Sequence, residues 1–255
     1  MWYLLVPLFL CWGSFLNMLA YRLVHDLPLQ LQTRSACPHC RRIIHWYDLI
    51  PVISWINLRG KCRHCQNPIS PLYPIIEILT TLCLIGLINL IDPFFWPIYF
   101  VFISALIVTI RTDLETMQIS RLMTLCLIPL PVIASLTFSH NYCLIPLNSL
   151  QVICGAIFGY LILWIINQIF HWYAGQDGMG EGDLELLACI GAFTGLAGAW
   201  FSLVIGSLAG ASYGIIFMLF KRTKLNLILP FGPFLALGAL LYLFFQNQIF
   251  QLILC

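Results

Sequence analysis

Long apolar runs separated by short polar segments are the dominant pattern along this chain. A helix that crosses a bilayer needs roughly 20 mostly apolar residues, and eight runs approach or reach that length. They cover residues of about 2–21, 72–91, 94–110, 122–139, 149–170, 184–200, 202–220 and 229–250. Only a Gly-rich stretch divides the sixth run from the seventh, so seven spans are the alternative. The pattern predicts an all-α polytopic membrane protein with about eight transmembrane helices.

One long polar segment interrupts this pattern and divides the chain. We expect a first transmembrane helix at 1–21, a soluble loop at 22–71 and a transmembrane bundle at 72–255. No basic residue precedes the first run, so it is predicted to be a retained span and not a cleaved signal. With 61% hydrophobic and 9% charged residues, the chain is not an ordinary soluble domain. Its net charge of +2 gives no indication of a nucleic-acid partner.

The basic residues are confined to alternate connecting segments. All twelve Lys and Arg lie in 22–71, 111–121 or 221–228. Short cytoplasmic loops collect Lys and Arg, so these segments are predicted to be cytoplasmic. Because successive spans cross the membrane in opposite directions, the segment 171–183 is predicted to be cytoplasmic as well. The N-terminus is therefore expected to lie outside.

Four of the eleven cysteines form two Cys-x-x-Cys pairs in the predicted cytoplasmic loop. Cys37 and Cys40 form the first pair, and Cys62 and Cys65 form the second. Two such pairs can surround zinc tetrahedrally, and a reducing cytoplasm disfavours disulfides. Four sulfurs leave no coordination position open for water, so a structural zinc is predicted. Redox-active pairs and plain reduced thiols are the alternatives.

Two aspartates are placed where they can meet at the predicted cytoplasmic edge. Asp113 lies in the predicted loop after the third span, and Asp183 lies just before the sixth. Ionisable groups at a membrane boundary indicate function by default. Two neighbouring carboxyl groups share a proton, so one can activate water while the other protonates a peptide carbonyl. The alternative is that Asp183 caps a helix and Asp113 is a solvated loop residue.

Glycines precede the second aspartate, in the segment Gly178-Met179-Gly180-Glu181-Gly182-Asp183. Without Cβ atoms, this backbone can adopt unusual dihedral angles or let an extended substrate approach closely. The sequence therefore predicts a catalytic pair, Asp113 and Asp183, next to active-site backbone at Gly180 and Gly182.

Short motifs extend this picture from the first predicted span to the last. They are Gly13-Ser14-Phe15-Leu16-Asn17, Tyr21-Arg22-Leu23, Cys37-Pro38-His39-Cys40, Trp46-Tyr47-Asp48, Leu58-Arg59-Gly60, Tyr73-Pro74, Gly178 to Asp183, Leu186-Leu187-Ala188 and Pro230-Phe231-Gly232-Pro233-Phe234. Together with their neighbours these stretches resemble the type IV prepilin peptidases, within the wider class of Gly-x-Gly-Asp intramembrane aspartyl proteases.

The resemblance implies a function and a site. It implies an aspartyl peptidase that removes leader peptides from type IV prepilins and type II secretion pseudopilins at the cytoplasmic face of the bacterial inner membrane. It implies Asp113 and Asp183 as the catalytic pair. It further implies N-methylation of the new N-terminus with S-adenosylmethionine as cosubstrate, although the sequence does not place that binding site.

Two residues depart from the family pattern. Ser120 stands where the family usually has Pro, and Glu185 stands where it usually has Lys. A loop can turn without Pro, so Ser120 is expected to be tolerated. Glu185 places an anion near the predicted pair, and we expect it to shift the pH dependence of catalysis towards higher pH.

Three other functions are compatible with the sequence. A membrane thiol oxidoreductase could use the two Cys-x-x-Cys pairs, although its cysteines would be expected on the oxidising side. A zinc-stabilised assembly factor or transporter subunit would need neither aspartate. A peptidase without methyltransferase activity is the third.

Glu77, about one turn into the second span, is the remaining buried candidate. It can reach back to the interface or pair with a loop Arg, or it can meet the charged new N-terminus of a pilin. The first interpretation is favoured.

Overall fold

The computed structural model describes residues 4–27, 35–137, 148–221 and 229–254. Within these ranges the chain is all-α, as predicted, with two isolated β-bridges and no strand. Its helices are α1 (Val6–Val24), α2 (Ile53–Asn57), α3 (Leu72–Leu90), α4 (Trp96–Thr116), α5 (Pro129–Thr137), α6 (Ser149–Ala174), α7 (Glu181–Lys221) and α8 (Gly232–Leu254). Arg34, Arg222 and Lys224, three of the basic residues used for the topology, lie outside the described residues.

Five helices of the described residues are long and apolar enough to cross a membrane, namely α1, α3, α4, α6 and α7. Two shorter apolar helices cover Leu125–Leu136 and Gly232–Gln246. The predicted span at 122–139 therefore begins as a short helix, and the residues after 137 lie outside the described ranges. The fold is that of a multi-pass membrane protein.

The chain forms two compact units, Met1–Trp96 and Pro97–Cys255. In the first unit α1 packs closely on α3. A Cβ added to Gly13 would lie 2.8 Å from the Cα of Glu77, so this approach requires glycine. Asn17 strengthens the contact by donating a hydrogen bond from its side-chain amide to the carbonyl oxygen of Tyr73, at 3.1 Å. The two helices thus give the loop between them a fixed base.

In the second unit α6 packs on α7 through glycines. A Cβ on Gly155 would collide with the carbonyl oxygen of Gly191, and a Cβ on Gly191 would collide with that of Gly155. Gly159 has the same relation to the carbonyl of Leu187. Small residues at membrane helix interfaces let the backbones approach closely and pack well. This interface holds the start of α7 against the end of α6.

Helix α7 turns back on itself at Gly195. This residue has φ 73° and ψ −176°, which are not helical values. Residues 182 and 206 both lie near the start of α8. Gly182 packs on Ile119, which also touches the first residue of α8, and Gly206 packs on the first turn of α8. A straight helix would separate residues 182 and 206 by about 36 Å. The two legs of α7 therefore form a V, with the turn six residues before the predicted boundary near residue 201.

The part of α7 that leads into the turn is buried, whereas Leu196, directly after it, is exposed. Residues 184–195 are all buried. The hydroxyl of Tyr99 on α4 donates to the carbonyl oxygen of Phe193 at 3.3 Å, and Phe102 stacks on the Phe193 ring with centroids 4.4 Å apart. Non-helical backbone at membrane depth is tolerated where protein groups satisfy it. The Tyr99 hydroxyl does so for a carbonyl next to the turn.

Candidate active site and metal centre

The four predicted metal ligands form one cluster. The Sγ atoms of Cys37, Cys40, Cys62 and Cys65 all lie within 4.8 Å of one another, and those of Cys37 and Cys65 are 3.8 Å apart. Sulfurs at tetrahedral positions about 2.3 Å from a zinc ion would be separated by about 3.8 Å. All four are free thiols. The cluster is therefore positioned to bind a metal ion.

Two copies of one turn present these ligands. Segments 36–43 and 61–68 are each closed by an antiparallel bridge between their end residues. In each turn the residue after the second cysteine, Arg41 or Gln66, has a positive φ of 56° or 57°. Its N–H donates to the carbonyl of the first cysteine, at 2.8 Å and 3.0 Å. The turns are thus local structures that bring each pair of sulfurs together.

The electrostatics of the cluster favour thiolate at one position. Hydrogen bonds from the backbone N–H groups of Cys65 and His64 lower the pKa of the Cys62 thiol to about 7. The Asn67 N–H lowers the pKa of the Cys65 thiol, but desolvation and hydrogen bonds with the neighbouring thiols raise this pKa to about 11. Metal ligands must be deprotonated, so a bound metal ion would replace the remaining protons.

Two carboxylates brace the loop that carries the cluster. Arg63 donates to Asp48 at 2.9 Å and 2.6 Å, and this hydrogen-bonded pairing holds the pKa of Asp48 below its usual range. Glu77 accepts a hydrogen bond at 2.8 Å from the backbone N–H of Val52. Val52 has a φ of 62°, which is uncommon for a β-branched residue. Glu77 thus ties the loop to α3 through a backbone group, which agrees with the interpretation that its side chain reaches back from the helix.

The two predicted catalytic residues both lie on helices. Asp113 was expected in a loop, but α4 continues to Thr116, so Asp113 lies in its last turns. Asp183 is the third residue of α7, and its carboxylate accepts a hydrogen bond from the backbone of Gly180. The two carboxyl groups are close enough for their charges to repel each other. The structure therefore brings the predicted pair together.

Asp113 has a specific donor that the sequence analysis missed. Its side chain is buried, and Oδ2 accepts a hydrogen bond from the Gly232 N–H at 2.9 Å. Gly232 is the first residue of α8, so the positive end of that helix dipole faces the carboxylate. A Cβ at this position would lie 2.8 Å from Oδ2. The motif around Gly232 was the available signal, but it does not indicate a partner.

The glycines before Asp183 do not use the left-handed backbone conformation that glycine permits. The described glycines with positive φ are Gly60, Gly175 and Gly195. Gly182 instead permits close packing, since its Cβ would lie 2.8 Å from that of Ile119. The Cβ position of Gly180 is open except for Asp183 Oδ2 at 3.9 Å. Gly180 thus leaves one side of Asp183 accessible.

The end of α6 holds the glycine-rich segment. Asn167 Oδ1 accepts hydrogen bonds from the backbone N–H groups of Gly178 at 2.9 Å and Met179 at 3.2 Å. The ring of Phe170 occupies the space where a Cβ of Gly178 would be. Neither side chain was singled out by the sequence, because a single Asn or Phe in an apolar helix carries no motif.

Glu185 is buried and paired. Its Oε1 lies 3.2 Å from Arg121 Nε, and its Oε2 accepts a hydrogen bond at 3.3 Å from the hydroxyl of Thr124. The anion that departs from the family pattern therefore has a cation beside it.

Comparisons with known proteins give matches over most of the chain. Residues 8–90 match the model for the bacterial peptidase A24 N-terminal domain, and residues 100–215 match that for the type IV leader peptidase family. A protein of Aeromonas hydrophila named prepilin leader peptidase/N-methyltransferase is 32% identical over 261 residues, which cover 93% of this chain and 88% of the relative. Proteins of the same name from Dichelobacter nodosus and Burkholderia pseudomallei strain K96243 are 34% and 36% identical, covering 94% and 86% of this chain and 90% and 70% of the relatives. No solved structure matches the chain.

Proposed function

This chain belongs to the type IV leader peptidase family, and from that premise we propose that Asp113 and Asp183 are the catalytic pair of a membrane aspartyl endopeptidase. The enzyme cleaves the leader peptides of prepilins and N-methylates the new N-terminus, as the names of its relatives state for them. The observation that supports the catalytic assignment is that Ile119 packs against the Cβ positions of both Gly182 and Gly232, next to the two aspartates, whose carboxyl groups are near enough for their charges to repel. Asp113 there receives a hydrogen bond from the first N–H of α8.

The geometry supports general acid–base hydrolysis. One carboxylate accepts a proton from water as the water attacks the peptide carbonyl, and the other carboxyl group donates its proton to the carbonyl oxygen. The Gly232 N–H keeps Asp113 in one orientation, and the Gly180 N–H does the same for Asp183. The open side of Gly180 gives an extended peptide access to Asp183.

We propose zinc as the metal of the four-cysteine cluster. Four sulfurs fill a tetrahedral zinc site and leave no position for water, so the metal would stabilise the loop and take no part in hydrolysis. S-adenosylmethionine is the proposed methyl donor, on the basis of the relatives' names.

The proposed orientation places the N-terminus outside, with the four-cysteine loop and both aspartates facing the cytoplasm. The confinement of Lys and Arg to alternate segments supports it, and so does the V shape of α7, which returns the chain to the side on which Asp183 lies.

Type II secretion pseudopilins are proposed as substrates together with type IV prepilins. The division at residues 21 and 71 stays a prediction.

Coexpression with a prepilin tests this function. We expect the wild-type protein to shorten the prepilin by its leader, with cleavage after Gly, and to add one methyl group to the new N-terminus, as read by intact mass. A prepilin with Val in place of that Gly is the control and should stay uncut. Cleavage without the methyl increment would identify a peptidase alone. Failure to cut several different prepilins would favour the non-enzymatic assembly factor.

Asn167 gives a more local prediction. Asn167→Leu is expected to lower the cleavage rate by about 10- to 100-fold, because two backbone N–H groups before Asp183 lose their acceptor at about 1 kcal/mol or more each. Asn167→Asp keeps an oxygen at that place and should retain most of the rate. Rates would be measured on purified protein with a prepilin substrate.

Gln168→Leu is the matched control, since Gln168 is exposed on the same helix. Equal rates for the Leu and Asp variants at position 167 would show that the Asn167 hydrogen bonds do not position the segment.

A further inference from the structure

We infer that Arg121 and Glu185 form a positioning ion pair that fixes the first turn of α7, and with it Asp183, to the segment that follows α4. The inference rests on the proposed function of Asp183, and it adds two residues to the machinery of the reaction. Neither touches the reacting atoms.

The guanidinium of Arg121 lies between two carboxylates of α7. Its terminal nitrogen is 2.9 Å from Glu181 Oε2, and its Nε is 3.2 Å from Glu185 Oε1. Residues four apart share one face of a helix, whereas residues two apart do not. Asp183 lies between the two glutamates in sequence and therefore projects elsewhere. Arg121 can thus hold this turn without occupying the face that Asp183 uses.

Burial decides which of the two contacts matters. The Glu181 side chain is 85% exposed, whereas that of Glu185 is 8% exposed, and the Arg121 side chain that contacts both is 68% exposed, so only Glu185 is a buried charge. An exposed ion pair contributes little, but a buried carboxylate without its cation is strongly unfavourable. The hydroxyl of Thr124 satisfies the second oxygen of Glu185. The segment 121–124 therefore binds the buried carboxylate at both oxygens.

The same segment reaches the other aspartate. Ile119 packs against Gly182 on one side, and its Cδ1 lies 3.2 Å from the Cβ position of Gly232 on the other. Gly232 in turn donates to Asp113. A shift of the segment relative to α7 would therefore move Ile119 and change the spacing between the two carboxyl groups. The ion pair prevents that shift.

The pair also explains how the chain tolerates an anion where its family usually has Lys. The positive charge is present, but it comes from Arg121 in the segment and not from the helix. The interaction depends on opposite charges at positions 121 and 185, whichever position holds the cation. Exchanging the two charges should therefore preserve it.

A charge exchange tests the inference. Arg121→Glu and Glu185→Lys are each expected to lower kcat for prepilin cleavage by about 100-fold, with KM within about threefold of wild type. The double variant, with both changes, should recover kcat to within about tenfold of wild type. Glu181→Gln, which removes the exposed carboxylate from the same guanidinium, is the matched control and should stay close to wild type. A folded double variant as slow as the single ones would overturn the inference.

Two further measurements separate the possible failures. If a charge-reversal variant does not accumulate in the membrane, Arg121→Gln and Arg121→Lys decide instead. A drop of about tenfold or more for Gln alone supports the pair, and equal kcat values contradict it. If wild type itself does not cleave, the proposed function fails. The thermal unfolding midpoints of wild type, Arg121→Glu, Glu185→Lys and the double variant then still report whether positions 121 and 185 are coupled. Shifts of the two single variants that add up to that of the double variant would overturn the inference.

Discussion

Replacing either Asp113 or Asp183 by Asn is expected to lower the rate of leader removal by about 10³-fold. Asn has nearly the same shape as Asp, and its side-chain oxygen can still accept the N–H of Gly232 or Gly180. The fold should therefore survive while the proton chemistry is lost. Rates would be followed by the N-terminal mass of a coexpressed prepilin, with each variant checked for wild-type amounts in the membrane.

The double variant sharpens this result. If the two carboxyl groups act as a unit, as proposed, the combined Asp113→Asn and Asp183→Asn protein should be about as slow as either single variant. Asp177→Asn is the control, since Asp177 is exposed and its carboxylate oxygen Oδ1 lies 3.0 Å from His171 Nδ1. If both single variants still cleave, the pair is wrong, and Glu115 and Glu181 become the next candidates.

The second large effect concerns the cysteine cluster. We expect one zinc ion per purified chain, and Cys37→Ser or Cys62→Ser should abolish it. Structural zinc sites with cysteine ligands bind with apparent free energies of about 10–16 kcal/mol near pH 7, and loss of that energy should unfold the loop. Zinc content would be measured by elemental mass spectrometry, and loop order by limited proteolysis.

The pH dependence and a matched control complete this test. Zinc should be released as the pH falls, because protons compete for the thiolates. Cys126→Ser should leave the zinc content unchanged, since Cys126 is exposed and outside the cluster. A protein with four reactive thiols and no metal at neutral pH would contradict the zinc assignment and favour the thiol oxidoreductase.

The parts of the structure that the sequence predicted are those with a local chemical signature. Apolar length predicted the membrane helices, and Cys-x-x-Cys spacing predicted the cluster, because each turn is closed by its own backbone hydrogen bonds. The predicted end of α4, at residue 110, was wrong because polar residues were taken to end the helix. Arg111 and Thr112 are polar and were assigned to a loop, yet both are buried and helical. Arg111 pairs with Glu115 one turn later, so partners within the helix allow it to continue.

The parts that could not be predicted depend on contacts distant in sequence. The donor to Asp113 comes from Gly232, 119 residues away. The acceptor for Gly178 and Met179 comes from another helix, and the cation beside Glu185 comes from Arg121. Each of these three contacts could be predicted only if the packing of distant parts of the chain were already known. The Gly-rich stretch between the sixth and seventh runs indicated a break in the helix, but not which of its glycines would turn. Gly195 lies where α4 and α6 pack against α7.

The V shape of α7 also constrains how the nascent chain becomes an enzyme. Its first leg, residues 181–194, is about 21 Å long, which is shorter than the hydrocarbon core of roughly 30 Å. This leg is too short to span the hydrocarbon core alone, so we expect it to insert together with the second leg, as a hairpin. The N–H that orients Asp113 belongs to α8, which is synthesised later still. We therefore expect the proposed site to be complete only after α8 has packed against the end of α4 and Gly232 has reached Asp113.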